Sequence, residues 1–181
     1  ISRRYPLVEA LVAALFAAIT IANGLNWDLA WELPFAAVLV AVAAIDLDLH
    51  IIPNKIVYPA AAWGVLSAAL VRLDHLPALL AWGAGAGLFF LVTALVYPAG
   101  MGMGDVKLAA VIGVYLGNSV IPALLVAFLT GTVVGISIMA RHGVRDGRKM
   151  GIPFGPFLAF GALTALFVGP DLVDAYRNAF L

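Results

Sequence analysis

Leu76-Pro77-Ala78-Leu79-Leu80-Ala81-Trp82-Gly83-Ala84-Gly85-Ala86-Gly87-Leu88-Phe89-Phe90-Leu91-Val92-Thr93-Ala94-Leu95-Val96-Tyr97 contains no charged residue. In lipid such a run has to satisfy its own backbone hydrogen bonds, and a single segment does that only as a helix. About 20 apolar residues span the hydrocarbon layer, so this run is long enough to cross it. The remainder of the chain has the same character. Its 181 residues are 64% hydrophobic and 11% charged, against about 25% charged in soluble domains. Too little polar surface is available to face water on all sides, which excludes a soluble globular domain. Ten Lys/Arg balance ten Asp/Glu, which excludes a polybasic nucleic-acid binder. No Cys is present, which excludes a disulfide framework, a thiolate zinc site and a Cys nucleophile.

The expected fold is therefore all-α, a polytopic transmembrane helical bundle forming a single membrane-embedded domain over 1–181. Seven apolar runs are expected as spans, near 7–22, 30–46, 56–72, 76–97, 105–117, 119–140 and 152–169. The fifth is short, and short segments are tolerated at membrane depth where protein or water covers the backbone. With the N-terminus in the cytoplasm, Arg3, Arg4, Lys55, Lys107, Arg141, Arg145, Arg148 and Lys149 fall on the cytoplasmic side, and only Arg72 and Arg177 on the other. That asymmetry predicts N-terminus in and C-terminus out. The Arg141–Lys149 loop reads as topogenic, and the small residues Gly83 to Gly87 suit close helix packing.

Ionisable groups at membrane depth are costly, by about 2.5–3.5 kcal/mol on insertion scales, and point to function. Two places stand out. In Ala43-Ala44-Ile45-Asp46-Leu47-Asp48-Leu49-His50-Ile51-Ile52-Pro53-Asn54-Lys55, Asp46 closes an apolar run. Asp46 and Asp48 lie about 200° apart on a continuing helix, whereas Asp46 and His50 can share a face. In Tyr97-Pro98-Ala99-Gly100-Met101-Gly102-Met103-Gly104-Asp105-Val106-Lys107, glycines precede an Asp that opens the short fifth run. Structural roles exist for both: a carboxylate marking a helix end, and one favoured at a helix N-terminus. What these roles do not explain is that the predicted topology puts Asp46 and Asp105 at one depth. Two carboxylates sharing a site keep one proton between them. The anion can deprotonate water while the neutral acid polarises a carbonyl, which is peptide hydrolysis without a covalent intermediate. Ser2, Ser67, Ser119 and Ser137 have no His or Lys beside them to form a nucleophile pair.

The residues carry a resemblance at this point. Gly102-Met103-Gly104-Asp105-Val106-Lys107-Leu108 resembles the GxGD signature of the A24 prepilin peptidases. Asp46, seven residues before Pro53, resembles their first aspartate motif. Ile1 to Glu9 is similar to the stretch entering their membrane core, and Ile152-Pro153-Phe154-Gly155-Pro156-Phe157-Leu158-Ala159 to their last-span motif. Four motifs in order cover nearly the whole chain. The resemblance implies an inner-membrane aspartyl protease that removes the basic leader of type IV prepilins or pseudopilins at the cytoplasmic face. It places the catalytic pair on Asp46 and Asp105 and the motif glycines on Gly102 and Gly104, with Asp48 secondary. No metal or cofactor is implied for cleavage. The bifunctional members carry a cytosolic domain and a further span ahead of the Ile1–Glu9 motif. The chain is thus expected to be either a short peptidase-only form or one whose upstream part is left out, and neither methyltransferase activity nor S-adenosylmethionine binding is assigned to it.

Two other readings use the same residues. A proton- or cation-coupled transporter could bind its ion at Asp46, Asp48 and Asp105. It is disfavoured by carboxylates at one face rather than mid-span, and by the lack of paired Gly/Pro-broken spans in the two halves. A hard-cation site could use Asp46, Asp48 and His50, but helical spacing scatters them. Lys55 and Lys107 follow from topology, and Lys107 has the further option of lowering the pKa of a neighbouring acid. His50, His75 and His142 are expected at loops or interfaces.

Overall fold

The computed structural model describes residues 4–98, 100–143 and 151–180. Arg3, Arg145, Arg148 and Lys149 of the predicted basic side, and the start of the Ile1–Glu9 motif, lie outside them. Regular structure among the described residues is entirely helical: α1 (Arg4–Asn23), α2 (Leu29–Leu49), α3 (Asn54–Val71), α4 (Leu76–Val96), α5 (Met103–Leu116), α6 (Val120–His142) and α7 (Gly155–Phe180), with single 3-10 turns at Leu73–His75 and Gly117–Ser119. Each expected apolar run is a helix. The largest boundary difference is in α7, expected to stop at 169 but continuing through Pro170 to Phe180. Proline removes one N–H and crowds the preceding turn, which bends a helix in an apolar setting more readily than it ends it.

Among the described residues, five helical stretches are long and apolar enough to cross a membrane: Pro6–Asn23, Leu29–Leu49, Leu73–Val96, Met103–Arg141 and Gly155–Ala179. The protein is thus a multi-pass helical membrane protein, with five such stretches where seven apolar runs are expected as spans. The difference arises in two places. Helix α3 opens on Asn54 and Lys55, which lower its hydropathy. Helices α5 and α6 form one apolar stretch of 39 residues, interrupted only by a 3-10 turn whose Gly117 has φ +57°.

Helix α5 is the centre of the bundle, and nine of its fourteen residues are buried. This covered backbone is the setting that a short apolar segment requires. Along one side α4 approaches backbone to backbone: a Cβ on Gly113 would stand 2.6 Å from the Trp82 carbonyl oxygen. Small residues permit that approach where lipid offers no hydrophobic drive between helices. On the other side α2 and α3 clasp Tyr115. Its ring stacks on Phe35 with centroids 4.2 Å apart, and its hydroxyl donates to the Ala60 carbonyl at 3.0 Å. Its own carbonyl accepts Trp31 Nε1 at 3.1 Å. Nearby, Arg72 Nη2 donates to Asp28 Oδ1 at 2.7 Å, tying the end of α3 to the α1–α2 turn. Helix α7 packs on α2 and α6 through buried Leu158, Ala159, Ala162 and Ala165.

Candidate active site

The last turn of α2 carries Asp46, which is 5% exposed. The helix stops at His50, whose φ of 55° and ψ of 37° are left-handed and whose N–H returns to the Asp46 carbonyl at 2.9 Å. Pro53 then adopts an extended conformation and caps α3, its carbonyl accepting the Ile56 and Val57 N–H groups.

The second carboxylate belongs to the start of α5. Gly102 is the N-cap, and Asp105 is the third helical residue, where the aligned peptide dipoles favour a negative charge. Asp105 is 8% exposed. Its Oδ2 accepts the Gly102 N–H at 3.1 Å, and its own N–H donates to the Gly102 carbonyl at 3.1 Å. Its Oδ1 is buried with no hydrogen-bond partner among the described residues.

Asp46 and Asp105 open onto one cavity of about 300 Å3, lined also by His50, Ile51, Ile52, Asn54, Gly102, Gly104 and Lys107. The C-terminal end of α2 and the N-terminal ends of α3, α5 and α7 meet here, so the cavity lies at one end of the bundle. A second, apolar cavity of about 440 Å3 between α3, α4 and α5 shares Lys107 with it.

The remaining predicted residues divide. Asp48 is exposed and does not line the cavity, as its angular separation from Asp46 requires. His50 does line it, with Nε2 3.2 Å from the Gly151 carbonyl oxygen. Lys107 donates from Nζ to Asn54 Oδ1 at 2.9 Å and lies over the Tyr58 ring, so it bonds an amide oxygen in the cavity wall. His75 sits exposed in a 3-10 turn, and the side chain of His142 lies outside the described residues.

The motif glycines are not required for their backbone angles: Gly102 has φ −81° and ψ 151°, and the positive-φ glycines among the described residues are Gly24, Gly117 and Gly143. Gly104 is an ordinary helical residue. What it needs is room: a Cβ there would stand 2.7 Å from the Ile52 Cβ.

Sequence reasoning noted the Ile152–Ala159 segment but gave it no role. The structure brings it to the site: the Gly155 N–H donates to Asp46 Oδ2 at 2.9 Å. The advance signs were its resemblance to the last-span motif and the Gly-Pro pair at the start of an apolar run.

Comparison with known proteins places the chain in a family. A profile of the type IV leader peptidase family matches residues 33–136, which include both carboxylates. The chain is 35% identical to a prepilin leader peptidase/N-methyltransferase of Xanthomonas campestris pv. campestris, over 97% of this chain and 63% of that protein. It is 35% identical to one of Aeromonas hydrophila, over 100% and 64%. It is 32% identical to one of Bacillus subtilis strain 168, over 97% and 71%. The chain thus spans slightly under two thirds of the length of the first two relatives. No solved structure matches it. With more than half of its length matched by the family profile, and with relatives 32–35% identical to it over 97–100% of this chain, the chain belongs to the type IV leader peptidase family.

Proposed function

We propose that this protein is a membrane aspartyl endopeptidase that removes the leader peptide of type IV prepilins or pseudopilins, with Asp46 and Asp105 as its catalytic pair. The observation that carries the reading is the cavity onto which two buried carboxylates from α2 and α5 both open. The unpaired Asp105 Oδ1 supports it. A buried carboxylate oxygen beside a second carboxylate is satisfied by a shared proton or a water held between the two.

In the reaction, the ionised carboxylate takes a proton from that water as its oxygen attacks the scissile carbonyl. The protonated partner donates to the carbonyl oxygen. Collapse of the tetrahedral intermediate breaks the C–N bond, and a proton passes to the departing amine. His50, Asn54 and Lys107 supply polar groups at the cavity rim for an extended main chain. The test is cleavage of a purified prepilin by the chain reconstituted in liposomes, with the product mass placing the cut. Proton uptake without cleavage would favour a transporter instead.

The same reading puts the cavity at the cytoplasmic face of the inner membrane, in a single embedded unit of seven crossings with the N-terminus in. The eight-to-two split of Lys and Arg supports it. A reporter fused after Leu181 is expected to respond as extracytoplasmic, and a cytoplasmic signal would remove one crossing from the count.

Gly104→Val is expected to lower cleavage and leave the protein expressed. The added Cβ meets the Cβ of Ile52, which cannot swing aside like the tip of a long side chain, so the turn bearing His50 and Ile52 must move. Overpacking of this kind costs about 1–3 kcal/mol. Gly104→Ala should fall between wild type and Gly104→Val in a cleavage assay, and wild-type rates for Gly104→Val would show that the turn is not part of the site.

A further inference from the structure

The contact between Gly155 and Asp46 joins residues 109 positions apart. Gly155 is buried in the first turn of α7, and its backbone is not in the left-handed region. Glycine is therefore not needed there for its angles. It is needed for space: a Cβ at 155 would stand 2.6 Å from Asp46 Oδ2, 3.1 Å from its Cγ and 3.3 Å from its Cβ.

Two anchors hold this helix start in place. Phe154 packs against Phe128, ring centroids 5.5 Å apart, and against Phe90 at 6.2 Å. Its carbonyl accepts the Phe157 and Leu158 N–H groups at 3.0 and 3.1 Å. The His50 ring reaches the Gly151 carbonyl oxygen from the turn that follows Asp46. The donor at Gly155 is thus fixed on both flanks, while a carboxylate on a single-carbon stem is free to rotate unless something holds it.

We propose that Gly155 is a positioning residue for the peptidase reaction: its main-chain N–H holds Asp46 by Oδ2, leaving Oδ1 for the water or the shared proton, and its missing side chain makes that contact possible. The inference rests on the reading of Asp46 as one of the two catalytic carboxylates. Its consequence is specific. In Gly155→Ala, the group in the way is the far end of the Asp46 side chain, which turns aside at little cost. The fold survives and the carboxylate is displaced.

The experiment compares wild type, Gly155→Ala, Asp46→Asn, Asp46→Ala and the double variant Asp46→Ala/Gly155→Ala, purified in detergent and assayed on a prepilin. Gly155→Ala is expected to lower kcat about a hundredfold, the scale of a misplacement near 1 Å, with KM unchanged and the pH profile of kcat displaced. A purely structural glycine would not move that profile. In the Asp46→Ala background, where the two closest atoms, Oδ2 and Cγ, are gone and only the Cβ at 3.3 Å is left, Gly155→Ala is expected to leave Tm nearly unchanged; if Gly155→Ala alone fails to fold, the double variant should recover folding. Wild-type kcat and pH profile in Gly155→Ala, beside an inactive Asp46→Asn, would overturn the proposal and leave the catalytic assignment standing. A fully active Asp46→Asn would remove that assignment itself. A Tm loss from Gly155→Ala that persists undiminished in the Asp46→Ala background, or no recovery of folding in the double variant, would overturn the contact.

Discussion

Asp46→Asn and Asp105→Asn should each suppress prepilin cleavage by about 10⁴-fold, the upper range for loss of a positioned acid or base, in a protein that still folds and inserts. The argument lies in what Asn keeps. Its amide oxygen can accept the Gly155 N–H at position 46 or the Gly102 N–H at position 105, so the hydrogen bonds that orient each side chain survive. What is lost is the group that takes up and releases a proton. The double variant should be no worse than either single one, because the carboxylates act as a unit. For the same reason the wild-type kcat should pass through a maximum with pH, its two limbs belonging to the pair and to neither residue alone. Asp48→Asn should retain substantial activity, since Asp48 is exposed and does not line the cavity. Kinetics on reconstituted protein, with circular dichroism on each variant, checks all of this. An essential Asp48 beside a dispensable Asp46 would reverse the assignment.

Tyr115→Ala should cost about 3–5 kcal/mol of stability, as truncation of a buried aromatic does, and should appear as a lower Tm in detergent. Tyr115 is 3% exposed and sits at the end of α5 away from Asp105. It joins three helices: Phe35 of α2 stacks on its ring, Ala60 of α3 accepts its hydroxyl, and Gly64 leaves the space its ring edge occupies. Removing the ring opens a cavity among elements that otherwise touch one another sparsely. Tyr115→Phe isolates the hydrogen bond and should cost about 1 kcal/mol. Both variants should keep near wild-type kcat below their melting range, because the cavity at the other end of α5 is left intact. A Tyr115→Ala protein as stable as wild type would mean that lipid or a neighbouring segment fills the gap.

Particular residues show why parts of the site were legible in advance and others were not. Asp46 and Asp105 stand out because a carboxylate beside an apolar run is expensive wherever the chain goes. That Asp48 faces elsewhere follows from helix geometry alone. Gly104 is legible as part of the glycine motif before Asp105, but the neighbour that leaves no room for a side chain there, Ile52, is set by packing between two segments far apart in the chain. His50 is expected at a loop or an interface, and it does end α2; the packed turn is what puts its ring at the cavity. Gly155 lies in a segment that resembles a family motif, but its role is not readable there, since the partner that gives it one, Asp46, is in another helix.

Composition and apolar runs are enough to establish a helical membrane protein with two carboxylates near the ends of apolar runs. Lipid leaves an apolar segment only one way to satisfy its backbone, and a charge there is conspicuous from composition alone. That the two carboxylates open onto one cavity, that α5 is buried at the centre, and that the start of α7 supplies an N–H to Asp46 emerge from the packing of the helices. The physical reason is range. Periodicity and propensity act over a few residues along one helix, whereas a hydrogen bond across 109 positions depends on which helix faces meet and how closely they pack.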